Sequence, residues 1–111
     1  MNIEKTKAQM RKGVLELCTL AIIAEKDAYA SDIIDELKSS DLIVVEGTLY
    51  PLLTRLKNEG LLQYRWEEST SGPPRKYYQL TKMGEESLSV LKSSWEQLTT
   101  AVDKIISQNI K

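Results

Sequence analysis

A mainly α (α+β) fold, in which three helices and a β-hairpin precede one long C-terminal helix, is predicted by three features of the sequence. Leu88, Leu91, Trp95, Leu98, Val102 and Ile105 recur at alternating spacings of three and four residues, the rhythm of one narrow apolar seam on a helix. Leu62, Tyr64 and Trp66 alternate with polar residues at a period of two, ahead of a turn-rich stretch and a second strand-like run. Three earlier stretches carry apolar residues at helical spacing.

The first of these stretches, with Val14, Leu17, Cys18, Ala21 and Ile22 on a stripe widened by Leu15, Leu20 and Ile23, predicts a central helix over about Gln9 to Glu25. Cys18 lies on that stripe and reads as a small buried hydrophobe. A second helix is expected over Ala30 to Lys38, with Ile33, Ile34 and Leu37 inward. The β-branched run Leu42-Ile43-Val44-Val45 suggests a brief strand. A third helix over Glu46 to Asn58 buries Leu49, Leu52, Leu53 and Leu56 and ends at Gly60. Pro51 removes one backbone hydrogen bond there, so the helix either starts near Thr48 or bends. The strand-like runs Leu62 to Glu67 and Arg75 to Leu80 flank Ser69-Thr70-Ser71-Gly72-Pro73-Pro74, giving a hairpin with a long tip. Thr81 is a suitable N-cap for the last helix, about Lys82 to Gln108, with Glu85 and Glu86 at its positive end. At 1.5 Å per residue this helix is roughly 40 Å long, longer than the body the other residues build. Its seam therefore calls for a second subunit. Helices two and three form a helix-turn-helix, and residues 69–76 form a wing.

Composition narrows the function classes. The chain has 111 residues, 41% hydrophobic and 28% charged, as in ordinary soluble domains. Its apolar runs are too short to span a membrane, and the polar Met1–Gly13 stretch holds no apolar signal core. One cysteine rules out an internal disulfide and fits a cytoplasmic location. With no histidine, no Gly-rich phosphate loop and no metal-ligand cluster, nothing assembles a nucleophile and base, so no enzyme, no cofactor and no metal are expected. The net charge of −1 argues against nucleic acid, but its distribution qualifies this. Met1 to Val45 carries eight acids against six bases, whereas Glu46 to Leu80 carries five cations against four anions.

A helix-turn-helix reads base edges by laying its second helix in the major groove. The outer face of helix three offers Thr48, Tyr50, Pro51, Thr54 and Arg55, with Asn58 beyond them. A plain solvated helix face accounts for these residues equally well when they are taken alone. The wing shifts the balance: Gly72-Pro73-Pro74 stiffens the tip, and Arg75-Lys76 supplies two cations suited to phosphate. Tyr29 and Ser31, at the start of helix two, join Pro73, Arg75 and Lys76 in the expected DNA-binding set.

Gly47-Thr48-Leu49-Tyr50-Pro51, Leu53, Arg55-Leu56 and Glu59-Gly60-Leu61 resemble the recognition-helix signature of the PadR family of bacterial transcriptional regulators. Gly72-Pro73-Pro74-Arg75-Lys76-Tyr77-Tyr78-Gln79-Leu80-Thr81, followed by Gly84, resembles that family's wing. The chain departs from the pattern at Val45, where relatives often carry Asn or Ser as helix cap, and at Ala28, where the usual residue before Tyr29 is Gly. The single C-terminal helix is similar to that of the short, LmrR-like subgroup. The resemblance implies a homodimeric repressor that binds palindromic operators and releases them on binding a small molecule. It also gives Trp95, fifteen residues beyond Leu80, a role in stacking flat aromatic compounds between subunits, with Met10, Val14, Leu17, Leu91 and Leu98 completing the pocket. Trp95 as an ordinary packed seam residue is the plainer alternative. Glu96 and Asp103 are candidate carboxylates for a cationic ligand, but Thr99, one turn beyond Trp95, is neutral.

The expectation is thus a reader of double-stranded operator DNA over residues 1–80 and a dimerisation helix over 81–111, with a possible aromatic effector and no membrane. The alternative is a winged-helix module that binds protein and never DNA.

Overall fold

The computed structural model describes residues 1–108; the last three residues of the expected dimerisation segment lie outside them. The elements are α1 (Ile3–Glu25), α2 (Ala30–Ser39), α3 (Glu46–Asn58), β1 (Leu62–Ser69), β2 (Gly72–Leu80) and α4 (Lys82–Gln108). Leu20 and Ile23 of α1, Ile33 and Leu37 of α2, and Leu49, Leu53 and Leu56 of α3 form the buried centre. Leu62 and Tyr78 close it from the hairpin. The long apolar stripe of α1 therefore serves as the post around which the other elements pack.

α1 begins at Ile3, six residues before the expected start. The Asn2 side chain accepts the Lys5 N–H at 3.0 Å, and its carbonyl accepts the Thr6 N–H at 3.1 Å. That cap starts a polar helical extension before any core-facing residue is reached, and a periodicity search cannot register it. The extension is exposed throughout residues 3–13.

Leu42–Val45 is not a strand. Asp41 adopts a left-handed conformation (φ 65°) just past α2, while the Leu42 N–H donates to the Leu37 carbonyl at 2.8 Å and the Asp41 N–H to Lys38 at 3.0 Å. This helix-ending turn sends the four residues straight into α3. The place beside the hairpin goes to Ala28 instead, whose N–H and carbonyl exchange hydrogen bonds with Tyr78 at 3.1 and 2.8 Å.

α3 starts at Glu46 and runs through Pro51. Gly47, whose carbonyl loses its partner, is exposed together with Pro51, so water stays within reach of the unpaired oxygen. Val45 gives no side-chain cap. Leu52, expected inside, is half-buried.

The hairpin tip is shorter than the sequence suggests. Ser69 pairs with Gly72, leaving Thr70 and Ser71 as the turn. Pro73 and Pro74 lie within β2, opposite the irregularity between Glu67 and Ser69, where the ladder is already interrupted.

The root of α4 is locked to the body. The Thr81 hydroxyl donates to the Gly60 carbonyl at 2.6 Å and accepts the Gly84 N–H at 3.0 Å, confirming Thr81 as the N-cap. Gly60 itself needs its positive φ (83°) to end α3. A side chain at Gly84 would overlap the Leu61 carbonyl and crowd Leu80. Beyond this root the seam divides. Leu88 and Leu91 are half-buried and pack on the chain's own core, contrary to the expectation that the whole seam lacks cover. Trp95, Leu98, Val102 and Ile105 are 41%, 57%, 43% and 61% exposed. The helix has outrun the body, and the molecule is 59 Å long.

Candidate nucleic-acid interface

α3 presents its outer face as expected: Thr48, Tyr50, Pro51, Thr54, Arg55 and Asn58 are all exposed. Helical geometry sorts them further, because residues seven apart share a side. Tyr50 and Lys57 border the hairpin, Pro51, Thr54 and Asn58 face outward, and Arg55 and Glu59 turn toward α1.

The cations of this region fall into two groups. Arg55 donates to both Glu59 oxygens at 3.1 Å and to Glu16 of α1 at 3.0 Å. Hydrogen bonds to Glu16 and then Glu59 raise its pKa above the ordinary guanidinium value. Its fork braces α3 against α1. Arg65 is likewise engaged, by Glu67 at 2.8 Å and Asp27 at 3.3 Å, and lies 4.5 Å from the centre of the Tyr77 ring directly across the hairpin. Asp27 also accepts from Gln79 at 2.7 Å, tying the α1–α2 turn to β2. Lys57, Arg75 and Lys76, by contrast, have no carboxylate within ion-pair distance among the described residues. Four carboxylates, Glu16, Glu59, Asp27 and Glu67, are thus engaged by Arg55 and Arg65, which leaves Lys57, Arg75 and Lys76 as the cations of α3 and the hairpin without an ion pair among the described residues.

Arg75 is positioned by α2. Its guanidinium lies 4.4 Å from the centre of the Tyr29 ring and donates to the Ser31 hydroxyl at 3.3 Å. Tyr29 in turn meets Tyr77 edge-on at 4.7 Å. The Tyr29 N–H donates to Asp32 at 3.0 Å, fixing the start of α2. Tyr29, Ser31 and Arg75, far apart in sequence, therefore form one contact cluster. A cleft of ≈ 630 Å³ runs beside it, lined in part by Asp32, Asp35 and Tyr77.

The other hairpin face carries Tyr64, Trp66, Lys76 and Tyr78. Trp66 and Lys76 are direct cross-strand partners, as are Tyr64 and Tyr78. Burial, then the neighbouring phenols of Tyr50 and Tyr64, pushes the Tyr78 pKa up, so Tyr50 stands close to this face. Lys57, Tyr64 and Trp66 belong to this surface although they are absent from the expected set. Their signals were the seven-residue step from Tyr50 to Lys57 and the register that places Lys76 opposite Trp66. Only the second depends on knowing the turn.

The residues expected to hold a ligand are not enclosed by one chain. Met10 is 72% exposed, Trp95 and Leu98 are exposed, and Val14, Leu17 and Leu91 are half-buried. Val14 lines a different, apolar groove of ≈ 360 Å³ with Leu15, Leu42 and Val44. Cys18 is half-buried against the core, and burial raises its thiol pKa. No helix among the described residues is long and apolar enough to cross a membrane.

With this geometry in place, likeness to known proteins is specific. The family described as the transcriptional regulator PadR-like family matches residues 19–90, which hold the helix-turn-helix, the wing and the root of α4. The chain is similar to a PadR-like transcription factor from Bacteroides fragilis, at 59% identity over 91% of this chain and 98% of that one, with a TM-score of 0.77. It is similar to a PadR-like transcriptional regulator from Bacillus cereus, at 39% identity over 88% and 96% of the two chains, TM-score 0.78. A PadR family transcriptional regulator from Eggerthella lenta superimposes with a TM-score of 0.86 at 30% identity, covering 94% of this chain and 91% of that one.

Proposed function

The chain belongs to the PadR-like family of transcriptional regulators and is a DNA-binding regulator rather than an enzyme, and we propose that it acts in the cytoplasm as a homodimeric repressor released from its operator by a small aromatic molecule. The observation that carries this reading is the joint placement of an exposed, hydroxyl-rich α3 face beside unopposed cations on the wing. In it, Thr48, Tyr50, Pro51 and Thr54 enter the major groove, while Pro73, Arg75 and Lys76 reach the flanking backbone. Tyr29 and Ser31 set the angle of Arg75 and add hydroxyls at the start of α2. Arg55 completes the DNA-contacting set, held in place by Glu16 and Glu59, which brace it against α1 through Nη1 and Nη2.

Residues 81–111 form the dimerising element and residues 1–80 the DNA reader. The half of the seam that leaves the body supports this: Trp95, Leu98, Val102 and Ile105 gain cover only from a second copy, with Leu88 and Leu91 at the junction. Trp95 then faces the other subunit, and an aromatic compound stacked there, against Met10, Val14, Leu17, Leu91 and Leu98, favours one spacing of the two α4 helices. Half-sites lie about 34 Å apart, or a multiple of it, so a ligand that prefers one dimer geometry changes operator affinity.

Two variants test this. Replacing Arg75 and Lys76 together with Ala should weaken binding to every duplex alike and flatten its salt dependence; unchanged affinity favours a protein-binding winged helix instead. Trp95→Ala should abolish ligand response and leave operator binding intact. Ligand-driven release from that variant would remove Trp95 from the pocket.

A further inference from the structure

Lys57 and Lys76 converge on one aromatic ring. The Lys76 ammonium lies 4.7 Å from the centre of Tyr64 and 5.6 Å from that of Trp66, and the Lys57 ammonium lies 5.9 Å from Tyr64. Tyr64 in turn packs against Trp66 edge-on at 5.9 Å and against Tyr78 at 5.8 Å. Two like charges have therefore been brought to one small surface, and no carboxylate among the described residues neutralises either. Of the two acids in β1, Glu67 is engaged by Arg65, and Glu68, at the ladder's irregularity, has no ion pair among the described residues. The paired Arg55 and Arg65 show that carboxylates are supplied elsewhere in the same elements. The aromatic rings hold the ammonium groups in place without cancelling their charge, because a ring face attracts a cation through its quadrupole alone. Such a surface has its cations arranged in advance and lacks its anion.

We infer that the surface between the Lys57 side of α3 and the Tyr64–Trp66 face of the hairpin is a seat for one phosphate of the bound duplex, held by Lys57 and Lys76. The position fits a backbone phosphodiester: Tyr50 lies on the same side of α3 as Lys57, one face away from Pro51, Thr54 and Asn58. A duplex whose groove receives that outer face runs its backbone between α3 and the wing. The seat rests on the reading of α3 and the wing as the DNA contact, and it adds Lys57 as a phosphate contact and Tyr64 as the positioning residue whose ring both lysines share.

The test measures anisotropy of two labelled duplexes of unrelated sequence across a salt series. Each lost phosphate contact reduces the slope of log affinity against log salt by about 0.9, so Lys57→Gln should lower it by about twice that in a dimer. It should also weaken both duplexes by the same factor, whereas Lys57→Arg should keep the slope. Tyr64→Phe retains the ring and should bind as the parent does. A Lys57→Gln protein of unchanged circular dichroism that keeps the parental slope overturns the seat while the wider DNA reading stands. A parent that binds neither duplex overturns the DNA reading itself. Inorganic phosphate, added at constant ionic strength, should not displace the duplex. Displacement that Lys57→Gln abolishes would assign the seat to a small free anion and refute the proposal.

Discussion

Shortening Leu98 to alanine separates a dimer seam from a solvated helix. On the single chain Leu98 keeps 57% of its surface exposed, so its truncation removes little from the chain's own core. Complete burial of a leucine side chain contributes roughly 1.5–3 kcal/mol; covering the exposed fraction is worth about 1–1.5 kcal/mol by the same scale. A symmetric seam contains the residue twice, and alanine retains the Cβ, leaving a net loss of about 2 kcal/mol per dimer. At about 1.4 kcal/mol per factor of ten, the dimer dissociation constant should rise about 30-fold. Sedimentation equilibrium over a concentration series reads this directly. Val90→Ala is the control, because Val90 is 65% exposed but lies well off the seam. Leu98→Ala should shift the constant and Val90→Ala should not. Equal shifts, or none in either, refute the seam.

Three further outcomes follow from the local chemistry. Asp41→Gly removes an exposed side chain from a left-handed position at the negative end of α2. It should stabilise the fold by about 0.5–1 kcal/mol, read as a rise in urea midpoint at unchanged slope. Gly84→Ala should cost about 1–3 kcal/mol through the clash with Leu61 and Leu80, and hydrogen exchange should show the first turn of α4 opening before the core. Stability should also fall at alkaline pH. Cys18 and Tyr78 are acids whose folded pKa lies above the unfolded one, mainly through burial. The unfolded chain therefore loses these protons first as pH rises, and stability declines past about 8.5 for the thiol and about 10 for the phenol. Cys18→Ala should remove the first decline alone, as followed by denaturation midpoints across pH.

How much of this was legible depends on what each signal measures. The start of α4 and its Thr81 cap could be read because periodicity and capping are local, whereas the cover that the core gives Leu88 and Leu91 is tertiary. α3 was placed correctly, but the consequence of Pro51 depended on Gly47 being exposed to water, which is a tertiary fact. Leu42–Val45 misled because β-branched residues favour extended backbone whether or not a neighbour pairs with it, and here Ala28 already holds Tyr78. The early start of α1 was hidden because a capped, exposed helix has no apolar stripe to reveal it. Within the candidate interface, the identity of the exposed α3 residues followed from the helical period. The fate of each cation did not: Arg55 is paired with Glu16, 39 residues away, whereas Arg75 is positioned by the neutral hydroxyl of Ser31, 44 residues away, and keeps its charge for a partner. Long-range pairing decides which charges remain for a partner.

In the proposed dimer, two copies hold two groove-reading elements at a fixed separation. Hydroxyl-radical footprinting on a duplex selected from a random library by the purified chain tests it most directly. Two protected patches related by two-fold symmetry are expected on one face of the helix, about 34 Å or a multiple of it apart. One patch without symmetry, or uniform protection at any sequence, would contradict it.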